Sequence, residues 1–480
     1  MSKGLPEVAP LSLNASGTAR VRHWLRTVLG LDRAVGFTVL ARFWGSAAGL
    51  VTLLLIARFL SPAEQGYYYT FGSLVAIQMI FELGFSFVIL QMASHERARL
   101  SISADYEITG DPVAHARLAS VIQKSVRWYS VAAVLLAATL IPVGFHFFSA
   151  HPQAGLTVSW RLPWCFAALM AAINFQIDPL LSFLEGCGYV PEIARLRFLQ
   201  SVTGSLLAWC ALASHHGLFA PSMMLFGMAS SALVWLARKR KLVLGLLRYQ
   251  TGSDRIRWNE EVWPFQWRIA VSWFCGYFIF WLFNPVLFAY RGPVEAGQMG
   301  MSLSLVNAIL NIAVSWVSTK SAPFGTLIAR NEYLQLDRTF FQALRQAFAV
   351  SLAGALTAWL GCIYLNYEHL RFAQRLLDPF SLGLLLILMI TNVVIFSEAI
   401  YLRAHKQEVF FVNSVVGAIL VTACTLFFGR LYGAIGIAVS CCIGNVVGLV
   451  WATYKFRKYR RLWHAPERAT DQHLDLTNGF

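Results

Sequence analysis

Charged residues are scarce in this 480-residue sequence. Asp, Glu, Lys and Arg make up only 13% of it and hydrophobic residues 57%, whereas soluble globular chains carry about 25% charged residues. The chain therefore has too few polar side chains to coat a surface that faces water. It also lacks a collagen-type glycine period, a Pro/Gly-rich tract and a long acidic tail. These absences exclude the fibrous and disordered classes and leave a polytopic membrane protein.

Several motifs that carry chemistry are also missing. There is no C-x-x-C pair to suggest a zinc site, and none of the eight cysteines falls in a predicted outer loop, so no disulfide framework is expected. There is no G-x-x-x-x-G-K-[ST] phosphate loop, so we do not expect the chain to hydrolyse a nucleotide. The predicted outer loops are too short to hold a catalytic domain. We therefore predict a protein that is not an enzyme and that uses no bound cofactor or metal.

Long apolar segments, by contrast, are abundant. Runs of about 20 apolar residues mark transmembrane helices. The runs are continuous rather than alternating, so each segment satisfies its own backbone as a helix and not as a barrel strand. The sequence predicts an all-α membrane protein with twelve spans, at 37–57, 67–94, 128–149, 160–185, 195–214, 218–237, 264–290, 297–320, 346–366, 379–402, 409–429 and 432–454.

Lysine and arginine are distributed unevenly among the connections. If both termini are cytoplasmic, 32 of the 39 fall in inner segments, six fall in outer loops and Arg42 lies within the first span. This bias follows the positive-inside rule and requires an even number of spans. We therefore predict that both termini are cytoplasmic. The net charge of +15 is then explained by an inner face that meets anionic lipid, without any nucleic-acid partner.

One short phrase occurs twice, shifted by 231 positions. Residues 62–75 (PAEQGYYYTFGSLV) and 293–306 (PVEAGQMGMSLSLV) agree at six of fourteen positions. Ser61-x-x-Glu64 forms a helix capping box with Pro62 at the first helical position, and the segment 292–295 repeats the design. We interpret the repeat as a duplication that produces two six-helix lobes related by an axis along the membrane normal. Chance convergence of two tight outer turns is the alternative.

The predicted organisation has two lobes with a linker between them and a tail at each end. Two lobes with a site between them can rock about their interface and open to either side, which is the architecture of a transporter. The predicted parts are a cytoplasmic basic tail with an interfacial helix (1–36), an N-lobe of spans one to six (37–237), a cytoplasmic linker (238–263), a C-lobe of spans seven to twelve (264–454) and a cytoplasmic basic tail (455–480).

Cations within or beside the spans are the first site candidates, because an ionisable side chain is costly in lipid. Arg42, Arg268 and Lys320 lie on spans one, seven and eight. We predict that they line a positive cavity between the lobes, which suits a phosphate-bearing substrate. Two simpler interpretations stay open: a direct pair between Arg42 and Glu82, and ordinary inner-leaflet anchoring by Arg268 and Lys320.

Carboxyl groups in the spans are candidates for cation coupling. Asp178 and Glu398 lie in spans four and ten, which correspond in the two halves, and Glu82 lies in span two. A buried carboxyl group can exchange protons, and Pro179 is expected to loosen the helix beside Asp178. A structural polar pair is the competing interpretation. A further set on one face of span eight is predicted to bind sugar hydroxyls or to join helices: Ser304, Asn307 and Asn311.

The stretch 57–84 (ARFLSPAEQGYYYTFGSLVAIQMIFELG) resembles the first hairpin of the polysaccharide-flippase branch of the multidrug/oligosaccharidyl-lipid/polysaccharide (MOP) exporter superfamily. The resemblance lies in the turn at 58–69 and in the Glu82-Leu83-Gly84 element. The segment 108–129 is similar to the second inner loop of that family. This resemblance implies a V-shaped, MATE-like bundle in a bacterial inner (plasma) membrane that works by alternating access.

The resemblance to O-antigen (Wzx-type) members also implies a cargo. Those proteins move polyprenyl-diphosphate-linked oligosaccharide from the inner to the outer leaflet, with a cationic cavity and counter-transport of H⁺ or Na⁺. Expected partners are the lipid-linked glycan, membrane lipids, a polysaccharide polymerase and glycosyltransferases. Two alternatives remain: a MATE-type drug or metabolite antiporter, and a non-transporting membrane subunit of a polysaccharide synthase.

Overall fold

A computed structural model describes residues 33–103, 105–151, 158–252, 255–405 and 411–464. Within these ranges the chain is almost wholly helical, with one short hairpin of strands β1 (Leu100–Ile102) and β2 (Ile108–Gly110). The helices in chain order are α1 (Arg33–Phe59), α2 (Pro62–Val75), α3 (Gln78–Glu82), α4 (Phe85–Arg97), α5 (Pro112–Ala150), α6 (Arg161–Gly186), α7 (Val190–Ala213), α8 (Ala220–Arg238), α9 (Arg240–Arg248), α10 (Trp263–Phe280), α11 (Phe283–Arg291), α12 (Pro293–Ser318), α13 (Ser321–Ala329), α14 (Tyr333–Tyr367), α15 (Pro379–Ala404) and α16 (Phe411–His464).

The helices account for twelve passages. Ten helical stretches among the described residues are long and apolar enough to cross a membrane, and a bent pair, Pro62–Glu82 with Phe85–Arg97, makes an eleventh. The stretch Val412–His464 is 53 residues long, which is about 80 Å of helix at about 1.5 Å per residue and far more than one bilayer needs. It is interrupted at Gly433, where φ is 64°, so it contains two spans. The twelve-span, all-α prediction is confirmed.

Span two differs from the continuous helix predicted at 67–94. The chain bends by 44° between its two parts, because Leu83 and Gly84 both adopt left-handed backbone angles (φ 53° and 67°). An added Cβ at Gly84 would lie 2.4 Å from Ile269 on α10. Span seven therefore approaches span two at the break, and Gly84 has both the conformation and the lack of a side chain that this contact requires.

Two long helices extend beyond the membrane on the predicted inner side. Helix α5 begins at Pro112, where the Asp111 side chain accepts a hydrogen bond from Val113 N at 3.0 Å, and continues unbroken through span three. Helix α14 likewise runs unbroken from Tyr333 through span nine. The segment 455–464, predicted as part of a tail, is helical and is held by Arg460, which donates to Asp337 at 2.7 Å. Residues 1–32 and 465–480 of the predicted tails lie outside the described residues.

The linker docks on the inner end of the N-lobe. Leu242 and Leu246 of α9 are buried, and Gln123 of α5 donates to the Leu246 carbonyl at 2.9 Å. Further along, Arg117 of α5 donates to Glu261 at 2.5 Å, and these hydrogen bonds lower the pKa of the Glu261 carboxyl group. The stretch that enters span seven is thus fastened to the N-lobe by hydrogen bonds and apolar packing.

The two copies of the repeated phrase lie against each other. Helices α2 and α12 cross at Gly66 and Gly297, and an added Cβ at Gly297 would lie 2.8 Å from Gly66 N. These glycines correspond under the 231-residue shift. Contact between equivalent residues is what a two-fold axis between the helices produces. The phrase therefore recurs because each copy supplies half of the same crossing.

The acidic residues of the two copies have different roles. Glu64 completes the predicted capping box, in which it accepts from Ser61 N at 2.8 Å and donates its own N–H to Ser61 Oγ at 3.2 Å. Glu295 instead accepts from Ala434 N at 2.5 Å, directly after the break at Gly433. It therefore caps the helix of span twelve, and the second phrase also joins span eight to the turn before span twelve.

Candidate substrate cleft

The predicted outer ends of the lobes are closed against each other. Gln65 of α2 donates to the Gly297 carbonyl at 2.8 Å and to the Arg375 carbonyl at 2.9 Å. The Arg375 guanidinium in turn donates to Gln65 Oε1 at 3.4 Å and to the Leu60 carbonyl. We call this set of Leu60, Gln65, Gly297 and Arg375 the outer latch. It joins the N-lobe to the C-lobe loop at 367–378.

Aromatic packing seals the same end beside the latch. The Phe288 ring of α11, in the C-lobe, lies 4.9 Å from the ring of Tyr67 and 5.3 Å from that of Phe148, both in the N-lobe. Nearby, Asn284 donates to Ser73 Oγ across the lobes at 3.2 Å. Because this contact contains large buried rings, water and a polar substrate are excluded from the outer end in this conformation.

A polar stripe runs along α12 away from the closed end. The stripe consists of five polar residues of this helix, from Ser304 to Ser318. Because successive residues of a helix are about 100° apart, the five side chains fall within an arc of about 80° around its axis, and Asn307 and Asn311 are exposed. Gly297 and Gly300 continue the same face outward, where they pack on Gly66 and Tyr69 of the N-lobe. The stripe therefore faces the N-lobe, and its exposed amides mark the candidate cleft below the seal. Its members are Ser304, Asn307, Asn311, Ser315 and Ser318.

Arg42 reaches this stripe from the opposite lobe. It is exposed on α1, and its guanidinium donates to Ser318 Oγ at 3.0 Å. Among the ion pairs of the described residues, none joins Arg42 to Glu82. Lys320 is exposed two residues beyond Ser318. Arg268 lies on α10, but its side chain is not among those the structure describes.

Two of the candidate acids come together in the N-lobe. Glu82 ends α3 at the break in span two, and it interacts electrostatically with Asp178 and through a hydrogen bond with Ser86. Ser86 also lies 3.3 Å from the Tyr129 hydroxyl. Asp178 is exposed, whereas every other residue from 170 to 186 is buried or half-buried. Its carboxyl group therefore faces an opening inside the bundle. Contrary to expectation, α6 continues through Pro179 without a break.

Glu398 has different surroundings although it lies in the span that corresponds to that of Asp178. It is buried and accepts a hydrogen bond from Thr453 of span twelve at 3.0 Å. Its second carboxylate oxygen is buried and has no partner among the described residues. The contacts of Glu398 lie within the C-lobe, so the two lobes hold their acids in unlike sites.

Solved structures of membrane transporters share this architecture. An inward-facing multidrug resistance MATE family transporter of the MOP superfamily aligns over 94% of this chain and 99% of its own, with 15% identity and a TM-score of 0.56. The MATE multidrug transporter DinF-BH aligns over 90% and 97%, with 13% identity and a TM-score of 0.61. The chain has a MATE-like fold.

A lipid flippase also has this MATE-like fold. The lipid II flippase MurJ, in an inward closed conformation, aligns over 92% of this chain and 93% of its own, with 14% identity and a TM-score of 0.52. No protein-family model and no curated protein sequence matches the chain. At these levels of sequence identity the similarity establishes the fold but not the cargo.

The MATE-like bundle contains polar groups that the sequence analysis missed. Thr391 donates to Asn445 at 2.8 Å, and Asn445 donates to Asn392 at 2.9 Å, which links spans ten and twelve of the C-lobe. Asn445 is a lone amide in an apolar span, and that is a signal the sequence contains. Ser86 and Tyr129 gave no such signal, because a serine or tyrosine is common in a span and only the fold places these two beside Glu82.

Proposed function

We propose that this protein is a flippase that moves polyprenyl-diphosphate-linked oligosaccharide, such as an O-antigen or exopolysaccharide repeat unit, from the inner to the outer leaflet of a bacterial inner membrane. The observation that carries the proposal is the contact of Arg42 with Ser318 across the lobes, at the end of the polar stripe of α12. The chain acts by binding and conformational change, without covalent chemistry, and both termini lie in the cytoplasm.

The cleft has the chemistry that such a cargo needs. A diphosphate cannot enter hydrocarbon unaided because its charge is strongly hydrated, and a guanidinium in a cleft of low dielectric compensates that charge and donates hydrogen bonds to phosphate oxygens. Asn307 and Asn311 offer amide donors and acceptors to sugar hydroxyls. The polyprenyl tail remains in the lipid beside the bundle, so only the headgroup has to be sheltered.

The contacts between the lobes support alternating access. The outer end is held by the latch, by the crossing of α2 with α12 and by the Phe288 rings, while Asn307 and Asn311 of the polar stripe are exposed. Opening to the outer side requires these contacts to separate as a unit. Hydrogen bonds and ring contacts of this kind each stabilise by roughly 1 kcal/mol, so their rupture is within reach of binding and ion-gradient energies.

Cation coupling is assigned in this proposal to the carboxyl groups within the lobes. Glu82 interacts electrostatically with Asp178 and lies at a helix break that also touches the C-lobe, since Gln266 of α10 donates to the Leu83 carbonyl at 2.6 Å. Loading the pair with H⁺ or Na⁺ changes the charge directly beside a contact between the lobes. The pair is therefore placed to link ion binding to movement, and Glu398 provides a second site in the C-lobe.

Neutralising the N-lobe pair is expected to uncouple transport from the gradient. In proteoliposomes, Glu82→Gln with Asp178→Asn should reduce gradient-stimulated flipping at least about tenfold, because the site loses both carboxylates that would bind the cation and a loss of about 1.4 kcal/mol of binding is already tenfold. Glu192→Gln, which alters a carboxyl group paired with Lys239 at the inner surface, is the matched control. Stimulation that persists in the double variant and disappears in Glu398→Gln would transfer the coupling site to the C-lobe.

Two other functions fit the fold. A MATE-type drug or metabolite antiporter is suggested by the names of two structural neighbours, but a carrier of cationic drugs needs an acidic cleft, and here the described cleft presents Arg42 and amides. A non-transporting subunit of a polysaccharide synthase would not need polar side chains between its lobes. Membrane lipids, a polymerase and glycosyltransferases are the proposed partners, and no nucleic acid is involved.

Deletion of the gene tests the function directly. Lipid-linked oligosaccharide is expected to accumulate on the inner leaflet and surface glycan to disappear, because no other route transfers the charged headgroup. A membrane-impermeant lectin added to spheroplasts binds only the lipid-linked oligosaccharide that faces outward, so it measures that fraction. Re-expression of the chain should restore the outward-facing fraction. Unchanged surface glycan together with lowered drug tolerance would favour the antiporter instead.

A further inference from the structure

A second polar cavity lies between the lobes at the outer face, beside the latch. Its volume is about 870 Å³, and it is lined by the end of α1 and by the loop at 367–378. Leu54, Phe59 and Phe372 contribute to an apolar wall, and the polar lining consists of three arginines with His215 and Gln374. A cavity with one apolar and one cationic side matches an amphipathic ligand that carries negative charge.

Three arginines converge on this outer cavity: Arg58, Arg371 and Arg375. Arginine is scarce on the outer side, where the sequence places only six, so half of them lie at one spot. Arg58 also lies over the ring of Phe59 in the apolar wall. The other three outer arginines do not line the cavity. Arg161 and Arg430 lie over the rings of Trp160 and Tyr290, and Arg291 donates to the Leu431 carbonyl.

Carboxylates do not neutralise this cluster. Among the ion pairs of the described residues none includes Arg58, Arg371 or Arg375. Glu64 interacts electrostatically with Arg375, but its carboxylate accepts a hydrogen bond from Ser61 N in its own capping box. Three guanidinium groups that surround a cavity without a counter-charge repel one another, and a bound anion relieves that repulsion.

We propose that this outer arginine cavity binds the phosphate groups of a lipid headgroup, and that it is the station at which the translocated diphosphate arrives before release into the outer leaflet. The assignment to a diphosphate lipid rests on the proposed function, whereas the binding of phosphate by the cavity does not. The apolar wall accommodates the first part of the lipid chain. The guanidinium groups offer bidentate hydrogen bonds to phosphate oxygens.

Arg375 connects this station to the latch. Its guanidinium donates to the Leu60 carbonyl and to Gln65 Oε1, and the same N–H groups are the ones a phosphate would accept. A headgroup in the cavity therefore competes with the latch for Arg375. A headgroup held in the cavity after translocation therefore opposes re-formation of the contact that keeps this side closed.

Binding to the full-length protein in phosphatidylcholine nanodiscs tests the proposal. The probe is farnesyl diphosphate, and every variant carries Arg42→Gln so that the inner cleft contributes little. Arg58→Gln with Arg371→Gln should weaken binding by about tenfold or more, since each substitution removes charge-assisted hydrogen bonds to the phosphate oxygens. The matched control, Arg161→Gln with Arg430→Gln, removes two outer arginines away from the cavity and should bind as before.

Two further probes identify the source of the phosphate. Inorganic diphosphate should compete with farnesyl diphosphate, because the arginines recognise the phosphates, and phosphatidylglycerol should compete at least about tenfold less well, because it carries a single negative charge. Equal competition by phosphatidylglycerol would overturn the assignment to a diphosphate lipid. Unchanged binding in the Arg58/Arg371 variant, or an equal loss in the control, would overturn the site itself. If the proposed flippase function is wrong, the gene-deletion experiment will show it. The binding assay tests the cavity independently of that experiment.

Discussion

Replacing Arg42 by glutamate is expected to abolish export of the lipid-linked glycan while the protein still folds. The side chain is exposed and its one described partner is a serine hydroxyl, so the substitution leaves no buried group unpaired. It does replace attraction to a diphosphate by repulsion. Two unit charges about 4 Å apart interact with about 4 kcal/mol at an effective dielectric constant of about 20, so flipping should fall by at least about a hundredfold.

The measurement is the flipping rate in proteoliposomes, with thermal unfolding as the check on folding. Arg42→Lys keeps the charge and should retain a large part of the rate, although it loses the planar geometry of the guanidinium. Arg338→Glu makes the same change of charge at an exposed position of α14 and should have little effect. If Arg42→Glu flips at the normal rate, the headgroup does not pass Arg42 and the basic-cleft proposal is wrong.

The number of spans and the helix caps were predictable because local physics determines them. Lipid requires continuous apolar helices, and Ser61, Glu64 and Asp111 cap helices within a few residues of their own positions. The break at Leu83–Gly84 was not predictable from the same rules. Its cause is the approach of span seven, which lies about 185 residues further along the chain.

In the candidate site, too, the positions of residues on one helix were predictable, whereas contacts between different spans were not. Helical spacing alone places Asn307 and Asn311 on one face of α12, and the same spacing, extended by two turns, would also have found Ser318. Nothing in the sequence, however, indicated that Arg42 meets Ser318 or that Glu82 meets Asp178. Each of these pairs joins different spans, so it depends on how the helices pack and not on any periodicity.

Residues that correspond in the two halves of the chain do not all have the same role. Glu64 and Glu295 correspond under the 231-residue shift, yet the first caps its own helix and the second caps span twelve. Asp178 and Glu398 lie in corresponding spans and likewise have different partners. The two halves correspond in structure at the contact on the axis, between Gly66 and Gly297, whereas the acids away from the axis have different partners in the two halves.

Substitution of Gly66 by alanine is expected to prevent closure of the outer end. An added Cβ would lie 1.9 Å from the Pro293 carbonyl oxygen, which is backbone and cannot move aside without separating α2 from α12. In an ordinary helix the same change stabilises by roughly 0.5–1 kcal/mol because alanine has less backbone freedom to lose. Here the substitution should instead destabilise the closed form. Transport should fall by at least about tenfold, because a carrier that cannot close on one side cannot complete its cycle.

Gly72 provides the matched control on the same helix, since an added Cβ there meets nothing within 4 Å. Gly72→Ala should leave transport unchanged and unfold at the same or a higher temperature. Hydrogen exchange of the loop at 367–378 reports closure, because Gln65 of the N-lobe donates to the Arg375 carbonyl in the closed form and the loop loses this N-lobe contact when the lobes part. Faster exchange in Gly66→Ala alone would show that the crossing of the repeated phrase is the outer gate, and normal exchange with normal transport would show that it is not.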